Sequence, residues 1–251
     1  MQSSSQTDEP DFWLEPLDTE KHFQDFHEIC ADEQAALWSS QPHTDTVDST
    51  KERISKAIVG NACKPWLLNC AVMSSNYSPP GSSEPTRKMV GVVRTTRATP
   101  WGLSVGYKLR SDCWGKGYAT RAVGMFLDVY WSQVRMAPRG EVYIPEQLKT
   151  SDKTAAAATD TVLGGAATEK GETTAPVNGK PDGDDYDEEV EITHLVAQVD
   201  PENTGSMRVA EKCGGKLVTV SRRSVKVWRF PEMRDMAVWR LDKPSDVARS
   251  A

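Results

Sequence analysis

Long apolar runs are missing from the 251-residue sequence. The longest, Trp66 to Met73, is interrupted by Asn69 and falls well short of the roughly 18–20 residues that a membrane-spanning helix needs. No membrane partner is expected. The first residues, Met1-Gln2-Ser3-Ser4-Ser5, carry neither a basic nor an apolar region, so no secretory leader is expected, and Gln2 excludes N-myristoylation. Cysteines are few: Cys30, Cys63, Cys70, Cys113 and Cys213 make an odd number with no CxxC spacing. That pattern suits free thiols in a reducing compartment, cytoplasmic or nuclear, rather than a disulfide frame or zinc site. His22, His27, His43 and His194 are scattered and form no ligand pair. No metal is expected.

An excess of positive charge is also absent. The chain carries 30 Lys and Arg against 36 Asp and Glu, a net charge of −6. The segment 146–191 holds 12 acidic and 4 basic residues, which leaves +2 for everything outside it. Such a balance is too weak to argue for nucleic acid. The acidic pI of about 5.4 therefore belongs to one segment and does not describe the working surface. Its body, Lys149 to Asp185, is Ala/Thr/Gly/Asp with few large apolar groups, a composition that cannot offset its own ordering entropy. It also accounts for the low apolar fraction, 38% against 26% charged. A disordered insert over 146–191 is expected, with flexible ends at 1–11 and 244–251 and one domain built from 12–145 and 192–243. The insert reads as a solvated loop extension, or else as an acidic lure for basic substrates or a partner-binding tail.

Periodicity predicts the elements. Phe12 to Leu17 reads as a strand and Glu20 to Ser39 as an amphipathic helix, with a second helix over Thr50 to Val59 capped by Asp48-Ser49. Trp66 to Met73, Met89 to Thr95 and Leu103 to Leu109 read as strands, with a long hairpin loop over Ser74 to Lys88. A glycine-bearing turn, Ser111 to Tyr118, opens a helix over Ala119 to Val134. Beyond the insert come strand Ile192 to Val199 and helix Thr204 to Cys213. Strand Lys216 to Phe230, broken near Ser221 to Arg223, and strand Met236 to Leu241 close the pattern. The order is that of a mixed α/β layer around a central sheet.

Gly115-Lys116-Gly117 between a strand and a helix is the strongest local signal. Glycines there let the backbone approach a ligand, and the first helical amides point outward at the positive end of the dipole. The bland alternative is a purely structural turn. Lys116, Arg110 and Arg121 add positive charge. It is not a P-loop, because GxxxxGK[ST] is unmet. A Rossmann fingerprint fails as well: Gly115 lies well beyond Leu109, and position 120 is Thr.

Downstream, Ala197-Gln198-Val199-Asp200-Pro201-Glu202-Asn203 runs through Ser206-Met207-Arg208-Val209-Ala210-Glu211-Lys212-Cys213-Gly214. With Gly106-Tyr107-Lys108-Leu109 and Trp114-Gly115-Lys116-Gly117-Tyr118-Ala119-Thr120-Arg121-Ala122, this resembles the GNAT N-acetyltransferase superfamily, in its RimJ/RimL-like branch. The resemblance spans residues 12–243 apart from the insert. It implies a GNAT fold, a mixed, mostly antiparallel twisted sheet with flanking helices and splayed fourth and fifth strands. It also implies acetyl-CoA as co-substrate and direct transfer to a primary amine, either a peptide α-amine or a small molecule. The pyrophosphate would sit on the amides of Trp114 to Ala119 with Thr120 as a side-chain donor, and the pantetheine arm along Tyr107, Lys108 and Leu109. Asn203 would hold the pantetheine or order its turn, and Ser206 would face the leaving sulfur. As bland alternatives, Asn203 is a helix cap and Ser206 an ordinary first-turn residue.

The match departs at three places. Ser104 stands where many members carry a glutamate base, Ala210 where others carry a tyrosine, and Gly215 where a phenylalanine is usual. General-base help is worth about 10²–10⁴-fold. A low-pKa α-amine, about 10–15% neutral at pH 7, would suffer least from its loss. The rival reading is a degenerate CoA-binding or interaction module of the same fold. The acceptor side is expected from the first two helices, the last two strands and the loop at Trp101. Trp101 and Ser104 are its candidate contacts, and Trp38, Trp66 and Trp228 are further candidates.

Overall fold

The computed structural model describes residues 11–59, 63–144 and 186–245. The body of the expected insert and both chain ends lie outside them. β1 (Phe12–Pro16), α1 (Phe23–Ala31), α2 (Val47–Val59), β2 (Asn69–Tyr77), β3 (Thr86–Thr99) and β4 (Gly102–Leu109) come first. A single 3-10 turn, Ser111–Cys113, leads into α3 (Tyr118–Trp131). Next are β5 (Met136–Pro138), α4 (Arg139–Val142), β6 (Glu189–Glu191), β7 (His194–Val199), α5 (Thr204–Lys212), β8 (Lys216–Lys226) and β9 (Met233–Asp242).

Seven strands form one sheet in the order β1-β2-β3-β4-β7-β9-β8, and β5 pairs separately with β6. Every pairing in the large sheet is antiparallel except β4 with β7. Side chains alternate between two faces. On one face Val90, Val93, Leu103 and Leu109 pack under Ala122, Phe126 and Tyr130 of α3. On the other, Ala71, Met73, Met89 and Val92 meet Phe26 and Ile29 of α1 and Ile54 and Ala57 of α2. Burying both faces of a mixed sheet is what the mixed α/β order anticipates.

The first helix is shorter than its periodicity predicts. Asp32 turns extended, and its carboxylate accepts from the Ser111 amide at 2.7 Å and the Ala35 amide at 3.0 Å. A side chain that satisfies two backbone donors outside the helix ends it there. The second helix starts earlier, at Val47, because Thr46 rather than Asp48-Ser49 caps it, accepting from the amides of Ser49 and Thr50. The hairpin loop narrows because β2 runs on to Tyr77, whose hydroxyl donates to Asp112 at 2.8 Å. The break in β8 is a register shift between Ser221 and Val225, with Arg223 at φ 44°. Sheet pairing also begins inside the acidic stretch, where Ala137 faces Val190 and Arg139 holds Glu188.

His194 is buried under the β3–β4 turn, where its Nε2 donates to the Trp101 carbonyl at 2.9 Å. Burial holds its imidazole below the ordinary value of 6.5. The unfolded chain therefore binds a proton first as pH falls, so stability is full above about pH 6.5 and drains away below it. Thermal midpoints measured from pH 7.5 to 5.5 should fall more steeply for the wild type than for His194→Gln. Equal slopes would remove His194 from the account.

Candidate active site

β4 and β7 touch only at their starts, where Leu103 faces Leu195 and Ser104 faces Val196. Past those two pairs the strands diverge, and a cleft of about 1040 Å³ opens through the sheet. Residues 104–109 of β4 and Ala197 to Val199 of β7 line it. Unpaired strand edges inside a fold leave backbone donors and acceptors for an extended ligand to satisfy.

At the far end of β4 the chain turns through Gly115 (φ 74°) and Gly117 (φ 77°), both left-handed. Glycine accepts that conformation without the clash an L side chain would meet. Gly117 is the N-cap of α3 and offers no side-chain cap. The first helical bond is from the Arg121 amide to the Gly117 carbonyl. Among the described residues, none of the amides from Gly115 to Thr120 has a hydrogen-bond partner. The Trp114 amide is already committed to Ser111, so the run of free amides begins one residue later than the stretch expected from the sequence to hold an anion. A row of free amides at a helix start is an oxyanion cradle. Of the nearby cations, Arg110 is spent on Glu28 and Asp112 and Arg121 lies over the Phe12 ring. Lys116 is exposed at the turn and does not line the cleft.

Across the gap, α5 faces the edge of β4. The Tyr107 hydroxyl donates to Ser206 Oγ at 2.9 Å, bridging the diverging elements. Burial pushes the Tyr107 phenol above its ordinary value. It stays protonated, and the Ser206 hydroxyl keeps its own proton for another acceptor. Asn203 Oδ1 accepts from the Ser206 amide at 3.1 Å, so Asn203 does cap α5 and thereby sets the angle of the serine. The sequence alone gives Tyr107 only a place along the pantetheine arm and has Ala210 where other members carry a tyrosine. Alternation along β4 was the available signal, since it puts Tyr107 on the face of α3 with Leu103, Val105 and Leu109.

A family model of the acetyltransferase (GNAT) domain matches residues 11–216. The chain belongs to the GNAT acetyltransferase family. Among solved structures, RimJ from Mycobacterium smegmatis, in complex with CoA-disulfide, is similar at 16% identity, over 95% of this chain and 86% of that one, with a TM-score of 0.55. The ribosomal L7/L12 alpha-N-protein acetyltransferase RimL matches at 13% identity, 93% and 91% coverage and a TM-score of 0.56. Spermidine N-acetyltransferase from Vibrio cholerae, with CoA and spermine, matches at 11% identity, 93% and 96% coverage and a TM-score of 0.54. At such identities these structures share the GNAT fold. No curated protein matches the sequence.

The GNAT cleft continues to the opposite face of the sheet, where α1, residues 38–42 and α2 line it. Ser104 is there, 6% exposed, with its carbonyl accepting from Thr96 Oγ1. Trp38 also lines the cleft. Trp66, Trp228 and Trp101 do not: Trp66 packs in the α3-side core, and Trp228 Nε1 donates to the Ala36 carbonyl. Trp101 stays at the β3–β4 turn, its amide on Thr99 Oγ1. Two carboxylates line the cleft, Glu52 and Asp200, and both are ion-paired, with Lys56 and with Arg234. Among the described residues no unpaired carboxylate is left there to act as a base. No group of three or more His, Cys, Asp or Glu in the described residues is arranged to hold a metal, and no described helix is long and apolar enough to cross a membrane.

Gly115 and Gly117 have open space where a Cβ would stand, so the backbone angle, and not crowding, is what demands glycine. Forcing an L residue into that region costs about 1–2 kcal/mol, and relief of the strain would turn the free amides away from one another. Gly117→Val should weaken CoA binding about tenfold or more, measured by calorimetry on folded protein. Unchanged affinity would show that these amides do not hold the cofactor.

Proposed function

We propose that the protein is an acetyl-CoA-dependent N-acetyltransferase that acts on a primary amine, a peptide α-amine or a small molecule. The supporting observation is the pairing of the two halves of the divergence, free amides at the start of α3 and the Tyr107–Ser206 bridge beside the free edge of β4. Acetyl-CoA fits this site: the amides of residues 115–120 would take its pyrophosphate, and the unpaired edge of β4 at Tyr107 to Leu109 would take its extended arm. Bound there, it supplies the activated acetyl group.

In the reaction a nitrogen–carbon bond forms and the carbon–sulfur bond breaks. The nitrogen gives up one proton and the sulfur gains one. Ser206 donates its hydroxyl hydrogen toward the sulfur, and Tyr107, hydrogen-bonded behind it, supports the charge that develops. A β4 amide past Ser104 polarises the carbonyl. With Ser104 in place of a carboxylate, the amine loses its proton through water. This arrangement favours an acceptor whose nitrogen is partly neutral at working pH.

Free-thiol release from acetyl-CoA, followed across a panel of amines with purified full-length protein, tests the proposal. Turnover with at least one amine, giving the N-acetyl product by mass spectrometry, is expected. CoA binding with no turnover for any amine would make the protein a binding module instead.

A further inference from the structure

Three cations on the acceptor side of the cleft have no carboxylate partner among the described residues. β3 and β4 are paired with Arg94 opposite Gly106 and Val92 opposite Lys108. Val92 packs against α1 and α2, so Arg94, two residues on, and Lys108, across from Val92, share that face. Their diagonal relation puts two positive side chains within roughly 7–8 Å at their Cβ ends. Arg53 reaches in from α2 toward the buried Cys30 thiol, which feels its charge together with those of Lys108 and Arg94. Arg53, Arg94 and Lys108 all line the cleft. Among the described residues, none of the three has a carboxylate within ion-pair distance. The carboxylate that acts on Lys108 is Asp32, after the Cys30 thiol, and its oxygens are already held by the Ser111 and Ala35 amides.

Neighbouring like charges without counter-ions cost stability. Elsewhere the chain avoids this: Lys88 holds Asp25 and Glu28, and Arg234 holds Asp200 and Glu202. Burial pushes the Lys108 ammonium below its usual value, and the charges of Arg53 and Arg94 push the same way. On the β7 wall Gln198 brings an amide whose two ends differ. Gln198 accepts from Arg97 at 3.1 Å, while its own Nε2 is buried with no partner.

We infer that the acceptor is a primary amine carrying an anionic group, a carboxylate or a phosphate, which Arg53, Arg94 and Lys108 receive on the α1/α2 face of the cleft. This rests on the acetyltransferase reading and adds the substrate class to it. Such an anion supplies the missing counter-charge. The same cationic surroundings favour the neutral form of the acceptor nitrogen, the form that attacks, and so lessen the need for a carboxylate base at Ser104. Polyamines are disfavoured, because each added ammonium meets that positive wall.

The test uses matched amines with full-length protein: aspartate against its diamide, in which both carboxylates are amidated, phosphoethanolamine against ethanolamine, a peptide with an acidic second residue against its amide counterpart, and spermidine. The aspartate, phosphate and peptide arms separate the sources of the anion. At least tenfold higher kcat/KM is expected for the anionic member of one pair or more, with spermidine lowest. Arg94→Gln and the double variant Arg53→Gln/Arg94→Gln should bring that preference to threefold or less while acetyl-CoA affinity changes less than twofold. Their melting temperatures should hold or rise, since uncompensated charge is removed. Equal or better turnover of neutral or cationic members would overturn the inference. So would variants that lose CoA affinity and keep the preference, because the cluster would then serve the cofactor. If no amine is turned over, calorimetry of phosphoethanolamine and ethanolamine on the CoA complex still decides. Tighter phosphoethanolamine binding that Arg94→Gln abolishes keeps the anion site and discards only the catalytic reading, and equal binding discards both.

Discussion

Ser206→Ala should lower turnover about 10²-fold or more with CoA affinity held within about twofold, the range expected when a positioned proton donor is lost. The reason is local. Ser206 sits on the first turn of α5 with its amide fixed by Asn203, and its oxygen already accepts from Tyr107. Its one hydroxyl hydrogen is therefore left for another acceptor, and Ser206 lines the cleft. Tyr107→Phe keeps the ring that packs against the α3-side core but removes the hydroxyl that fixes the serine. Its expected cost is smaller, about tenfold. Because the two hydroxyls act in series, the double variant should be no slower than Ser206→Ala alone. Steady-state thiol release on all three variants checks this. Multiplicative losses would mean that tyrosine and serine act separately, and full activity in Ser206→Ala would remove both from the mechanism.

Much of this site is legible in the sequence because its parts are local. Gly115-Lys116-Gly117 announces a sharp strand-to-helix turn in the sequence, and both glycines are left-handed there. The cap at Asn203 is likewise a short-range pattern. What escapes is set by contacts distant in sequence. Tyr107 and Ser206 lie 99 positions apart, and nothing in either segment announces the other. The cluster of Arg53, Arg94 and Lys108 draws on three elements, and only the register of β3 against β4 brings two of them to one face. Arg110 is misread for the same reason, since its partner Glu28 lies on α1. Element ends are misplaced where a side chain captures remote backbone, as Asp32 does at Ser111. Gly215 looks like a lost phenylalanine in the sequence. Here its amide bonds the Ala210 carbonyl, and a Cβ would come within 2.6 Å of that oxygen.

Gly91→Ala should be the most destabilising single methyl in the sheet. Gly91 is buried in β3 directly opposite Leu109. An added Cβ would stand 2.6 Å from the Lys108 carbonyl oxygen and 3.1 Å from Leu109 Cα, and would also meet Leu109 Cδ2. The Leu109 side chain can rotate away. The backbone cannot, because the amide of Arg110 is tied to the Val90 carbonyl at 3.0 Å and Lys108 is held in register opposite Val92. Relief requires the two strands to part, at about 3 kcal/mol for overpacking of this kind. For a domain of this size that lowers the melting temperature by roughly 10 °C. Gly106→Ala is the matched control on the neighbouring strand, since its Cβ would meet only Thr96 Cγ2, at an ordinary 3.6 Å. Thermal unfolding of the pair should separate them clearly, and a Gly91→Ala midpoint within about 2 °C of wild type would refute the contact. The consequence extends to chemistry. β4 carries Tyr107 one residue from Lys108, and a displacement on the order of 1 Å at such a group costs about 10²-fold in rate. Gly91→Ala protein that remains folded should therefore be slow for the same reason that it is unstable.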